Sequence, residues 1–193
     1  MEKMKILATV LALSLTASYA YAAEGDLGVG QGKVTFNGKL IAAPCQLEDG
    51  MDNIMVTLPT LSTQTLAAAG ATGGSKSFEI KVKSCDPSIK KVAAHFEAIG
   101  STGVDSKTGN LENKAVAVGE DKPATGVQIR LYNSDSAQNQ LVLGDTGEAF
   151  DVIPGVGAEG GKATMRYYGG YYATAPTTPG LVTATAMYTL SYP

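Results

Sequence analysis

The stretch Phe78-Glu-Ile-Lys-Val-Lys-Ser-Cys85 decides the fold class. Side chains on an extended chain alternate with period two. Phe78, Ile80 and Val82 therefore share one face, and Glu79, Lys81 and Lys83 share the other. A short strand that is apolar on one side and charged on the other belongs to a sheet with one face in water.

The same alternation recurs on both sides of it. Upstream, Ile54, Val56 and Leu58 alternate before Pro59. Ser62 to Ala69 can form one or two helical turns before Gly70, the only helix expected after the leader. Downstream come Val92, Ala94 and Phe96, then a polar, glycine-bearing stretch from Gly100 to Thr125 with a weak strand at Ala115 to Val118. Val127, Ile129 and Leu131 follow, then Leu141 to Leu143, Phe150 to Ile153 and Ala163 to Tyr172. Gly-Asp, Pro-Gly and Gly-Gly turns separate them. The last strand places Val182, Ala184, Ala186, Tyr188, Leu190 and Tyr192 on one face. Short strands at this spacing, with turn residues between them, predict an all-β sandwich. No linker divides the chain and no internal repeat is visible.

Residues 1–22 read as a secretory signal peptide. Lys3 and Lys5 supply positive charge, Ile6 to Leu15 is a short apolar run, and Ala20-Tyr21-Ala22 suits cleavage before Ala23. The run is too short to span a bilayer. Cleavage takes away Glu2, Lys3 and Lys5, so the net charge moves from −3 to −4. That balance argues against nucleic-acid binding and offers no basic patch to a membrane.

Cys45 and Cys85 are the only cysteines. In an exported protein an even pair is most simply a disulfide. No CxxC or histidine cluster accompanies them, so a metal site is a poor reading. No cofactor motif and no catalytic constellation appears. There is no GxSxG elbow. His95, the only histidine, falls on the outward face of its strand, where a solvated side chain is expected. Asp49 with Asp52, and Asp145 with Glu148, lack EF-hand spacing and sit among turn residues. Tyr167, Tyr168, Tyr171 and Tyr172 suggest a sugar-stacking platform, but on a strand half of them face the core. The chain is read as non-enzymatic.

The two ends need a different explanation. Gly28-Val-Gly-Gln-Gly-Lys-Val-Thr-Phe36 places Gly28, Gly30, Gly32, Val34 and Phe36 on one face of a strand that continues to Ala42. That face starts bare and ends bulky. It is not a nucleotide loop, because the third glycine is out of register and a strand follows where a helix is required. The arm has no evident place in its own fold, and nothing follows the last strand to cover its outer neighbour position. Exposed edges are liabilities in monomers. Both problems disappear if one subunit's arm fills the next subunit's groove, a head-to-tail contact that builds a filament.

Several segments carry a family resemblance. They are Gly30-Gln-Gly-Lys-Val-Thr-Phe-Asn-Gly38, Ala43-Pro-Cys45, Ser84-Cys-Asp86, Gly126-Val-Gln-Ile129, Tyr171-Tyr-Ala-Thr174 and Gly180 through the penultimate Tyr192. Together the chain resembles the chaperone–usher pilins, similar to the major rod subunits of type 1 and P pili. The resemblance implies an incomplete immunoglobulin-like sandwich that lacks its final strand. A donor strand from a neighbouring subunit or from a periplasmic chaperone would complete it. It implies a signal peptide at 1–22, a donor-strand arm at 23–38 and a pilin domain at 39–193. The chaperone would bind beside Gly180, Val182, Ala184, Ala186, Tyr188, Leu190 and Tyr192. At an outer-membrane usher, the arm of the next identical subunit would displace it, and the product would stand on the surface of a Gram-negative cell as a fimbrium that supports adhesion.

On this reading Val34 and Phe36 anchor the arm, each contributing roughly 1.5 to 3 kcal/mol on full burial. Gly32 meets a blocked position of the groove, and Gly28 or Gly30 lies near its end. Lys33 and Thr35 point outward. The alternatives are a minor adaptor pilin of the same system, a secreted lectin-like binding module and a small periplasmic enzyme.

Overall fold

The computed structural model describes residues 32–40, 44–98, 103–134, 139–156 and 160–193. The chain divides into two units, 1–40 and 41–193. Of the first, residues 32–40 hold neither helix nor strand. Val34, Phe36 and Leu40 are exposed. The strand expected to run to Ala42 is therefore not formed across 32–40. A strand is stable as a ladder of paired main-chain groups, and apolar alternation alone does not supply the partner. Gly28, Gly30, the leader and residues 41–43 lie outside the described residues.

Among the described residues the second unit has nine strands: β1 (Gln46–Leu47), β2 (Thr72–Cys85), β3 (Lys91–Ala98), β4 (Leu111–Glu112), β5 (Val127–Tyr132), β6 (Gln140–Leu141), β7 (Phe150–Asp151), β8 (Gly161–Ala173) and β9 (Ala186–Ser191). They form two sheets. One has the order β1-β2-β8-β5-β4, with β6 also paired to β5, and the other has the order β7-β3-β9. Every pairing between these strands is antiparallel.

The long β2–β8 ladder aligns Phe78 with Tyr167, Ile80 with Met165 and Val82 with Ala163. Their inward side chains meet Val92, Ala94 and Phe96 of β3 and Leu131 and Leu141 from β5 and β6 in one core. Tyr167 joins the sheets. Its ring stands edge-on to Phe96 at 5.1 Å and to Phe150 at 5.6 Å. Its hydroxyl accepts from the Ala94 N–H at 3.0 Å and donates to the Glu148 carbonyl at 2.8 Å. Burial pushes this phenol up to about 12. The Cys45–Cys85 disulfide is present and ties the approach to β1 to the end of β2.

Three expected elements differ. Ile54, Val56 and Leu58 form no strand. Ile54 packs against the core, yet the segment finds no ladder partner among the described residues. The helix expected from Ser62 to Ala69 shrinks to one 3-10 turn, Thr63–Leu66, capped by the Ser62 hydroxyl. Only Leu66 of that turn is buried, and a single apolar anchor does not extend a helix. The weak strand at Ala115 to Val118 reduces to one bridge, Val118 with Asp121.

Candidate functional site

The site is an open edge between the two sheets. β9 pairs with β3 from Ala93↔Ser191 to Ala98↔Ala186, and its other edge has no strand partner among the described residues. β1 stands at an edge of the larger sheet, paired only with β2. The inward face of the last segment is the predicted one. Val182, Ala184, Ala186, Tyr188, Leu190 and Tyr192 are all half-buried, while Thr183, Thr185, Met187 and Thr189 are exposed. All but Val182 pack on the main core, and Val182 packs beside Leu66, Val127 and Ala173.

The other inward faces differ from this one. Ile80, Val82, Val92, Ala94 and Met165 are 0% exposed. No side chain of the β9 face reaches that state. Each is covered from the core side and left partly open from the other, as expected of a sandwich missing one strand.

The approach to β9 is held tightly. Gly180 has φ +154°, and a Cβ there would lie 2.3 Å from the Lys122 carbonyl oxygen and 2.5 Å from the Ala124 nitrogen. Asn113 clamps the next residues. Its Nδ2 donates to the Ala124 and Leu181 carbonyls, each at 2.9 Å. Its Oδ1 accepts from the Ala115 and Thr183 N–H groups at 3.0 and 2.9 Å. These bonds hold Leu181 to Thr183 outside a regular ladder, so β9 begins at Ala186 although the alternation begins at Val182. Sequence reading missed Asn113, because an asparagine in a polar, glycine-bearing stretch looks like any turn residue.

Two tyrosines reach from β9 to the opposite wall. Tyr192 Oη accepts from the Cys45 N–H at 3.0 Å. The Tyr188 hydroxyl donates to the Met51 carbonyl. Burial raises both phenols above their ordinary value, with Asp52 adding to the effect at Tyr188.

The remaining candidates have other occupations. His95 contacts Thr146 Oγ1 through Nδ1 at 3.0 Å and Glu97 through Nε2 at 3.3 Å, on the outward side of β3. Asp49 pairs with Lys83 at 3.0 Å, and Glu148 accepts from the Ser134 hydroxyl at 2.9 Å. Among the described residues, no group of three or more His, Cys, Asp and Glu side chains is placed to hold a metal. The tyrosines divide as alternation requires. Tyr167 is fully buried, Tyr171 packs beside Leu66, Val127 and Ala173, and Tyr172 lies under the Arg130 guanidinium at 3.8 Å. A polar cluster not anticipated from sequence surrounds buried Asn110 and Gln128. Thr108, Asp105, Arg130 and Gln140 satisfy them, and no buried side-chain polar atom among the described residues lacks a partner. A fully paired network of this kind fixes a loop and leaves no polar atom aimed at a ligand.

An all-β sandwich whose last strand has no outer partner among the described residues is an incomplete one. The chain belongs to the fimbrial protein family, which matches residues 34–193. It is 36% identical to an F17 fimbrial protein of Escherichia coli, over 100% of this chain and 99% of that protein. It is 40% identical to the major fimbrial subunit SMF-1 of Stenotrophomonas maltophilia, over 83% of this chain and 92% of that protein. Among solved structures, a chaperone–usher pilus superposes with a TM-score of 0.57 at 22% identity, covering 88% of this chain and 99% of that chain. The P pilus rod subunit PapA superposes with a TM-score of 0.54 at 19% identity, covering 78% of this chain and 100% of that chain. The fold is thus the incomplete immunoglobulin-like sandwich expected from the sequence.

Proposed function

We propose that this chain is a structural subunit of a surface fimbria that polymerises head to tail by donor-strand exchange. The observation that carries the reading is the free edge of β9 with its half-buried inward face. An unfilled edge of this kind accepts an extended segment, which gains main-chain hydrogen bonds along the edge and apolar contacts on alternate residues. The proposed donor is the arm at 23–38 of an identical subunit, with Gly28, Gly30, Gly32, Val34 and Phe36 facing the groove. Before assembly a periplasmic chaperone lends its own strand to the same edge, from Gly180 to Tyr192. An outer-membrane usher exchanges that strand for the arm. The route is export of the chain behind its leader, passage through the periplasm and display on the cell surface.

The sequence relatives named as major subunits support a rod subunit. The minor fimbrial subunit HifD of Haemophilus influenzae, 27% identical over 100% of this chain, favours a second reading as a minor subunit. Fibres sheared from cells expressing the chain separate the two. A rod subunit makes up the bulk of the fibre by mass spectrometry, and its deletion removes the fibres seen by electron microscopy. A minor subunit is present in traces, and its deletion leaves long fibres.

A further inference from the structure

Two hydroxyls cross the open edge, and the one on the Cys45 N–H occupies a main-chain group that an inserted strand would need. The Glu48 N–H donates to the Lys81 carbonyl at 2.9 Å, and Gln46 stands opposite Lys83. Main-chain groups alternate sides along an antiparallel strand. Gln46 and Glu48 therefore face β2, and Cys45 and Leu47 turn their main-chain groups away from it, toward the open edge. The Cys45 N–H is nevertheless paired, with Tyr192 Oη. The Met51 carbonyl, in the turn that follows β1, is paired with the Tyr188 hydroxyl. Tyr188 comes from the inward face of β9, and Tyr192 continues that face just past its end. Tyr192 meets the earlier residue and Tyr188 the later one, so the two walls run in opposite senses.

A strand placed between these walls would stand about 4.8 Å from each. Its own carbonyls would compete with Tyr192 for the single Cys45 N–H. The disulfide fixes Cys45 to the end of β2, so the tyrosine is the partner able to move. Leu190, between the two tyrosines, has no polar atom with which to do the same.

We propose that Tyr188 and Tyr192 are latches, whose hydroxyls hold the start of the opposite wall and the turn after β1 in the unfilled subunit and let go when the incoming strand takes the Cys45 N–H. This rests on the donor-strand reading above. Raised phenol values fit the role, since each hydroxyl stays neutral and able to donate or accept. Phenylalanine at either position keeps the ring on the core and removes the latch alone.

The test uses the purified subunit and a synthetic peptide of residues 27–38 carrying a fluorophore. Peptide uptake is followed by anisotropy for the parent and for Tyr188→Phe, Tyr192→Phe and the double variant. One net hydrogen bond corresponds to about a five-fold change in rate, so each single variant takes up peptide about five-fold faster and the double variant more than ten-fold faster. The unfilled variants melt lower than the parent, while the peptide-filled variants melt with it. Equal or slower uptake, or an equal loss of stability in filled and unfilled forms, overturns the latch and leaves the donor-strand reading standing. A parent that takes up no peptide overturns both. If the double variant does not fold, the single variants decide by the same criteria.

Discussion

Gly180 and Gly32 both belong to the segments that carry the family resemblance, and their surroundings differ. At Gly180 a methyl group would collide with main-chain atoms of Lys122, Pro123 and Ala124, and φ is +154°. Gly180→Ala is therefore expected to destabilise the subunit by roughly 2 to 3 kcal/mol, measured by urea unfolding. At Gly32 a Cβ would meet nothing within 4 Å. On the donor-strand proposal, Gly32→Leu should leave subunit stability unchanged and abolish polymerisation by obstructing the groove of the next subunit. Normal fibres from that variant would remove Gly32 from the donor strand. Val34 and Phe36 fall inside the region matched by the family, and Gly28 to Gly32 precede it. Alanine at both positions should stop assembly without lowering the subunit's melting temperature. A lowered melting temperature with assembly intact would assign them to the subunit's own domain. Tyr167 gives a pH signature. Its phenol is raised to about 12 in the folded state, so its contribution is complete below pH 10 and lost as pH rises from about 10 to 12. That loss amounts to roughly 2 to 3 kcal/mol, and Tyr167→Phe should flatten the decline in denaturation curves taken across that range.

The strands that sequence alternation located are those with one face in the core. Ile80 and Val82 in β2, Val92 and Phe96 in β3, Leu131 in β5 and Met165 in β8 are buried where alternation puts them. Alternation fails where a ladder partner is missing, as at Ile54 to Leu58, because pairing depends on a distant segment. The same limit hid the tyrosine contacts. Tyr192 and Cys45 lie 147 residues apart, and a hydroxyl bonded to a main-chain N–H leaves no sequence pattern. The inward face of β9 was legible from Val182 to Tyr192, but its half-burial was not, since that reflects what fails to cover it. If the missing cover is residues 27–38, appending them after Pro193 through a short linker should give a monomer with a clearly higher melting temperature. The same segment with its residue order scrambled should leave the melting temperature unchanged.

At the scale of the molecule, two sheets share one core, and among the described residues the outer edge of β9 has no strand partner. A free β edge tends to pair with whatever strand is available. Head-to-tail filling turns that tendency into a directed, non-closing polymer. The unfilled subunit should therefore be the less stable form, and the assembled fibre should resist denaturant far beyond the subunit. Electron cryomicroscopy of the fibre tests this most directly. The expected density is one continuous extended segment, the N-terminal arm of the next subunit, hydrogen-bonded along the free edge of β9. A fibre whose β9 edge is empty, or is covered by the subunit's own chain, would contradict it.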